Sequence, residues 1–109
     1  MSPEPPDTLV CLITTPRPDA HRIASAAVAK GLAACVNVVP HVQSVYRWEG
    51  EVQESEEALL VLKTTRSAVA ELEGLLREIH PYETFELVCL DIVAGSHPYI
   101  DWIAASVDR

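Results

Sequence analysis

Val36-Asn37-Val38-Val39-Pro40-His41-Val42-Gln43-Ser44-Val45-Tyr46-Arg47-Trp48, then Glu49-Gly50, then a return arm closing on Ala58-Leu59-Leu60-Val61-Leu62, decides the fold of this chain. The outgoing run is rich in β-branched and aromatic residues and Glu49-Gly50 supplies a turn. Together they predict one long β-hairpin from Val36 to Thr65. A half-exposed strand alternates apolar and polar residues, whereas a continuous apolar run marks a strand covered on both faces. The same unbroken character recurs in Leu9-Val10-Cys11-Leu12-Ile13 and between Phe85 and Val93. The sheet is therefore expected to have two dry faces, each needing cover.

Outward from the hairpin, Thr8 to Thr14 reads as the first strand, stopped by Pro16-Arg17-Pro18. Asp19 is placed to cap a helix whose apolar face is Ala20, Ile23, Ala24, Ala27 and Val28, with Gly31 just past its end. The second strand runs from Ala33 to Val39, is interrupted by Pro40, and resumes from Val42 to Trp48. The third spans Val52 to Thr65. Ser67 is the expected cap of a second helix, with Val69, Leu72, Leu75, Leu76 and Ile79 as its stripe and Glu73–Arg77 as a supporting ion pair. Pro81 stops that helix, and Phe85 to Val93 reads as the fourth strand. Ser96 and Pro98 then start a last helix on which Tyr99, Trp102, Ile103 and Val107 share a face.

The order is strand, helix, strand, strand, helix, strand and a terminal helix. This is the split βαβ pattern of an α+β, ferredoxin-like βαββαβ sandwich, with an extra C-terminal helix and a long hairpin between the second and third strands. Both crossover helices pack on one face of such a sheet. The terminal helix, about 16 Å long at 1.5 Å per residue, is too short to cover the other, which points to self-association.

A chain of 109 residues fits one domain, here residues 8–109 after a disordered lead over residues 1–7, which lacks the basic and apolar regions of a signal peptide. No stretch approaches the roughly 20 apolar residues of a membrane span. A net charge of −8 repels phosphate backbones, so no nucleic-acid partner is expected, while the same field attracts cations. Three cysteines, an odd count, argue against a disulfide scaffold. Cys11, Cys35 and Cys89 read as buried free thiols, which places the chain in the cytoplasm.

Four patches concentrate functional side chains. Ser44 to Gly50 carries Tyr46 and Trp48 on one strand face and Arg47 on the other, read either as an interface anchor or as cross-strand packing. Leu62-Lys63-Thr64-Thr65 ends an apolar run in an ammonium, read either as a solvated strand end or as a binder of carboxylate or phosphate. His80-Pro81-Tyr82-Glu83-Thr84-Phe85-Glu86 gathers an imidazole, a phenol and two carboxylates between a helix and a strand. Tyr99-Ile100-Asp101-Trp102 places two aromatics three apart on a helix. The sequence contains no Walker loop, dinucleotide fingerprint, G-x-S-x-G elbow, C-x-x-C or H-E-x-x-H, and no activated nucleophile adjoins His80, Glu83 or Glu86. A non-enzymatic role is expected over a hydrolase or transferase.

Taken with Leu32-Ala33-Ala34-Cys35-Val36-Asn37, these patches resemble the CutA family, the divalent-cation tolerance proteins, from Leu9 to the C-terminus. The resemblance implies a tight homotrimer with hairpins reaching across neighbours. It also implies a shape similar to the PII signalling proteins, with ligand clefts between subunits. On that footing Trp48, Lys63, Tyr82, Glu86, Tyr99 and Trp102 are the expected cleft residues. His80 and Glu83 are the expected ligands of a weakly bound divalent cation, copper foremost. No obligatory cofactor is implied. The alternative reading is a PII-like sensor of a small anionic ligand near Lys63, and a trimer that only scaffolds a partner is a further one. Two positions depart from the family pattern. Ile13 stands where the copper-binding pattern has a cysteine, with Cys11 displaced by roughly 6.6 Å along the strand. Phe85 stands where a proline is usual before Glu86.

Overall fold

The computed structural model describes residues 7–109, so all of the expected N-terminal lead except Asp7 lies outside the described residues. The elements are β1 (Thr8–Pro16), α1 (Ala20–Ala29), β2 (Cys35–Trp48), β3 (Glu51–Thr65), α2 (Val69–Ile79), β4 (Val88–Asp91) and α3 (His97–Ser106), with short 3-10 turns leading into α1 and α2. All four strands are antiparallel to their neighbours in the order β2-β3-β1-β4. The βαββαβ succession is the one expected from the sequence. Glu49 and Gly50 both adopt positive φ, 51° and 81°, which is the two-residue hairpin turn whose twist matches its strands.

Strand alternation divides the sheet into two faces. Leu9, Cys11, Ile13 and Thr15 of β1 lie opposite Thr64, Leu62, Leu60 and Ala58 of β3 on the inner face. There α1 contributes Ala20, Ile23, Ala24 and Ala27, and α2 contributes Leu72, Leu75 and Leu76, to one buried cluster. Each fully buried Leu or Ile adds about 1.5–3 kcal/mol, which makes this face the seat of the fold's stability. Val28, expected on the same helical face, is instead exposed at the rim.

Val10, Leu12 and Thr14 form the outer face with Lys63, Val61 and Leu59 of β3 and Val39 of β2. On the outer face α3 touches β1 and β3, and Tyr99 contacts Cys35, the outward neighbour of Lys63. Its Ile103 is fully buried yet stands outside the inner cluster. The terminal helix thus covers one end of the outer face and no more. Leu12, Leu59 and Val61 remain half-buried, while Val39, Val88 and Leu90 are exposed.

Three expectations need correction. The fourth strand is four residues long rather than nine, and every residue in it is exposed. Leu9 pairs with Asp91 and the Ile92 N–H reaches the Thr8 carbonyl, so β4 ends where its neighbour β1 begins. At its other end Phe85 and Leu87 pack onto the core in irregular backbone. The helix caps also differ, since no side-chain cap bond forms at Asp19, Ser67 or Ser96. Asp19 holds Arg22 at 2.7 Å, and the Ser67 hydroxyl meets Thr65 and the Arg109 carbonyl. Of the three thiols only Cys11 is buried; Cys35 is half-buried and Cys89 exposed.

Candidate functional site

Pro40 does not split the second strand in two; it bends it. Between Val39 and Val42 the register with β3 shifts, so that Pro40 and His41 together face Ala58. A strand side chain changes face at every residue, and one extra residue therefore reverses the phase of everything beyond it. Cys35, Asn37 and Val39 point to the outer face before the bulge. After it Ser44, Tyr46 and Trp48 do so, opposite Ser55, Gln53 and Glu51. Without the bulge His41 would stand opposite Glu57, and both aromatics would turn to the other side.

The segment 80–86 closes on this surface because His80 ties it down from within. The imidazole is 7% exposed. Its Nε2–H donates to the Thr14 carbonyl at 2.9 Å, and its Nδ1 accepts the Tyr82 N–H at 3.0 Å. Phe85 stacks on it at 5.2 Å and Tyr82 tilts against it at 5.0 Å. The Tyr82 hydroxyl then donates to the buried Glu57 carboxylate at 2.9 Å, joining the segment to the hairpin. Glu86 accepts a long 3.5 Å bond from the Thr14 hydroxyl.

Between hairpin and segment lies a groove of about 710 Å³, walled by Ser44, Val45, Tyr46, Trp48 and Glu57, by Thr14 of β1, and by Pro81, Tyr82, Glu83, Thr84 and Glu86. Its charged residues are three carboxylates, with no basic side chain among them. Of the expected cleft residues the fold gathers Trp48, Tyr82 and Glu86 here, with Glu83 beside them. Lys63 is elsewhere, donating to Asn37 on the outer face, while Tyr99 and Trp102 pair on α3 at 5.5 Å. Of the other wall residues, the sequence does not point to Thr14, places Ser44 in the hairpin patch without a cleft role, and reads Glu57 as one carboxylate of a solvated hairpin end, where the structure buries it. Glu57 carried a readable sign, as the carboxylate that immediately precedes an unbroken apolar run.

Burial and, secondarily, the Glu57 carboxylate push the Tyr82 phenol up to about 12. The fold favours the protonated phenol, so this stabilisation is complete below pH 10 and is lost as pH rises through 12. Spectrophotometric titration of tyrosinate is expected to find one group near 12 that vanishes in Tyr82→Phe. In Glu57→Gln it should fall only part-way towards the ordinary value of about 10, because burial remains.

The family profile described as CutA1 divalent ion tolerance protein matches residues 9–106. This chain belongs to that family. It is 47% identical over 95 residues to the divalent-cation tolerance protein CutA of Thermus thermophilus, covering 86% of this chain and 92% of that one. It is 43% identical over 84 residues to human Protein CutA, covering 77% of this chain but only 47% of that one, so it spans about half the human relative's length. The solved structure of the Thermus thermophilus protein superposes with a TM-score of 0.88 at 44% identity, covering 92% of this chain and 98% of that one. The four-stranded antiparallel sheet with three helices is therefore a CutA fold.

A metal centre of the kind the family name evokes does not fit the donors of this CutA chain as they stand. Both nitrogens of His80 are engaged within the fold, which leaves no lone pair for a metal. Ile13, at the position where the resemblance implied a cysteine, is fully buried on the inner face, away from the groove. Among the described residues no three His, Cys, Asp or Glu side chains converge on a point where an ion could sit.

Proposed function

We propose that this CutA chain serves divalent-cation tolerance as a cytoplasmic homotrimer, a binding protein rather than an enzyme, whose outer sheet face is covered by neighbouring copies. One observation carries the reading: the outer face leaves Val39, Val88 and Leu90 exposed, and it continues at the hairpin tip into the exposed Tyr46 and Trp48. Monomers rarely leave so much contiguous apolar surface to water. In the trimer a neighbour closes the groove into a cleft. Its carboxylates, Glu83 and Glu86 at the mouth and Glu57 behind, attract cations loosely. His80 is a structural post in this reading, unable to act as general base or ligand while both its nitrogens are bound. Carboxylates are hard donors that suit Mg²⁺, Ca²⁺ and Mn²⁺, so the groove itself holds no special preference for copper. The anion-sensing alternative is supported only at Lys63, which lies outside the groove among Asn37, Cys35 and Tyr99.

Calorimetric titration of the purified trimer with Mn²⁺ and Cu²⁺ tests the cation reading. Weak binding that falls at least tenfold in the Glu83→Gln/Glu86→Gln double variant is expected. Binding untouched by that change would remove the groove from the account.

A further inference from the structure

Cys11 and Cys89 are direct partners across the β1–β4 ladder, and their Sγ atoms lie 3.0 Å apart. Their surroundings differ sharply. Cys11 is wholly buried in the inner core. Cys89 is exposed on the four-residue edge strand and opens on a second groove, about 450 Å³, walled by Val69, Glu73 and Arg77 of α2 and by Phe85 and Leu87. One thiol is thus open to a small molecule, and the other sits directly behind it, sheltered from everything except its partner.

We propose that Cys89 and Cys11 form a thiol–disulfide exchange site, in which Cys89 reacts with a low-molecular-weight disulfide and Cys11 resolves the product. In the first step the Cys89 thiol gives its proton to water and its Sγ attacks one sulfur of the small disulfide. That S–S bond breaks, and one small thiolate leaves and takes up a proton. In the second step Cys11 loses its proton and its Sγ attacks Sγ of Cys89, releasing the second small thiol. The protein dithiol is oxidised by two electrons and the small disulfide is reduced to two thiols.

The order of the steps follows from access and acidity. The attacking species is the thiolate. Burial first, and the neighbouring Cys89 sulfur second, hold the Cys11 thiol well above the ordinary range. Cys11 is therefore a poor nucleophile towards solvent and acts only once a sulfur electrophile is delivered beside it. Antiparallel partners need little backbone movement to bridge, because Cα atoms of facing residues stand about 4.5–5.5 Å apart, within the range that disulfides span. The product pins β4, whose backbone ladder is with β1, and with it the segment that leads back to the first groove.

The test uses the full chain, reduced, then incubated with oxidised glutathione at neutral pH, alkylated and mapped by mass spectrometry. Wild type is expected to lose two of its three thiols, joined as a Cys11–Cys89 cross-link, with Cys35 still alkylated. Cys11→Ser is expected to stop at a single glutathione adduct on Cys89, and Cys89→Ser to take up none at Cys11. Circular dichroism on each variant confirms that the fold is retained. A wild-type product that stays as the Cys89 adduct, or a cross-link that appears only in denaturant, would overturn the resolving role of Cys11. Unmodified Cys89 in the folded protein would overturn the site altogether. None of these readouts depends on cation binding or on assembly.

Discussion

His80→Ala is expected to lower folding stability by about 3 kcal/mol, among the largest losses a single substitution in this chain can produce. The imidazole satisfies two backbone groups, the Thr14 carbonyl and the Tyr82 N–H, inside a site that admits almost no water. Leaving a buried polar group unpaired costs about 1–3 kcal/mol. Loss of the Phe85 and Tyr82 ring contacts adds about 0.5–1.5 kcal/mol for each aromatic pair. Partial relaxation of the 80–86 segment brings the total down to the figure given. For a domain of this size that is a fall of more than 10 °C in melting temperature. His80→Gln should recover part of it, since the amide can donate to Thr14 while failing to stack. A metal-ligand role predicts the opposite pattern: a change in cation affinity with little change in melting temperature of the metal-free protein. Denaturant titration of both variants without metal distinguishes the two.

The same residue shows where sequence reading succeeded and where it ran out. His80, Tyr82, Glu83 and Glu86 were legible as a site because four polar groups crowd seven residues between a helix and a strand. Their roles were not legible. Nothing local reveals that Nε2 would find a carbonyl 66 residues earlier, nor that Glu57 would lie under the Tyr82 hydroxyl. The long hairpin, the two crossover helices and the inner core followed from apolar periodicity, which depends on near neighbours and survives in a single sequence. Pro40 was recognised as an irregularity, yet its consequence needed the register: only the pairing of Val42 with Glu57 shows Tyr46 and Trp48 returning to the outer face. Lys63 was misplaced for a related reason. Strand parity puts it on the same face as the groove residues, but six residues from Glu57 along β3, about 20 Å at 3.3 Å per residue. The fourth strand was overread because an apolar run from Phe85 to Val93 looks the same whether it pairs or merely packs. Where β1 begins decides one end, and the packing of Phe85 and Leu87 onto the core decides the other, both set by residues far away in sequence.

Leu90→Glu is expected to abolish assembly at micromolar concentration while leaving the single-chain fold intact. Leu90 faces outward from the edge strand opposite Val10 and is 49% exposed in one chain, so a carboxylate there meets water as long as the subunit is alone. Once a neighbour covers the outer face, three copies of that carboxylate must lose hydration without a partner. The effective penalty is several kcal/mol per ion. Summed over three subunits this exceeds what a hundredfold rise in concentration can offset, since each tenfold is worth about 1.4 kcal/mol. Val39→Glu, at the opposite side of the same face, should act alike, whereas Glu73→Ala on α2 should not. Sedimentation velocity is expected to show wild type as a trimer and both outer-face variants as monomers with native circular dichroism. Because assembly stabilises the folded chain by mass action, the variants should also melt at a lower temperature that no longer depends on protein concentration. A folded monomeric wild type would leave the outer face bare by nature and remove the shared cleft. A trimeric Leu90→Glu would place the contact elsewhere, and the apolar tip around Trp48 would then be the surface to change.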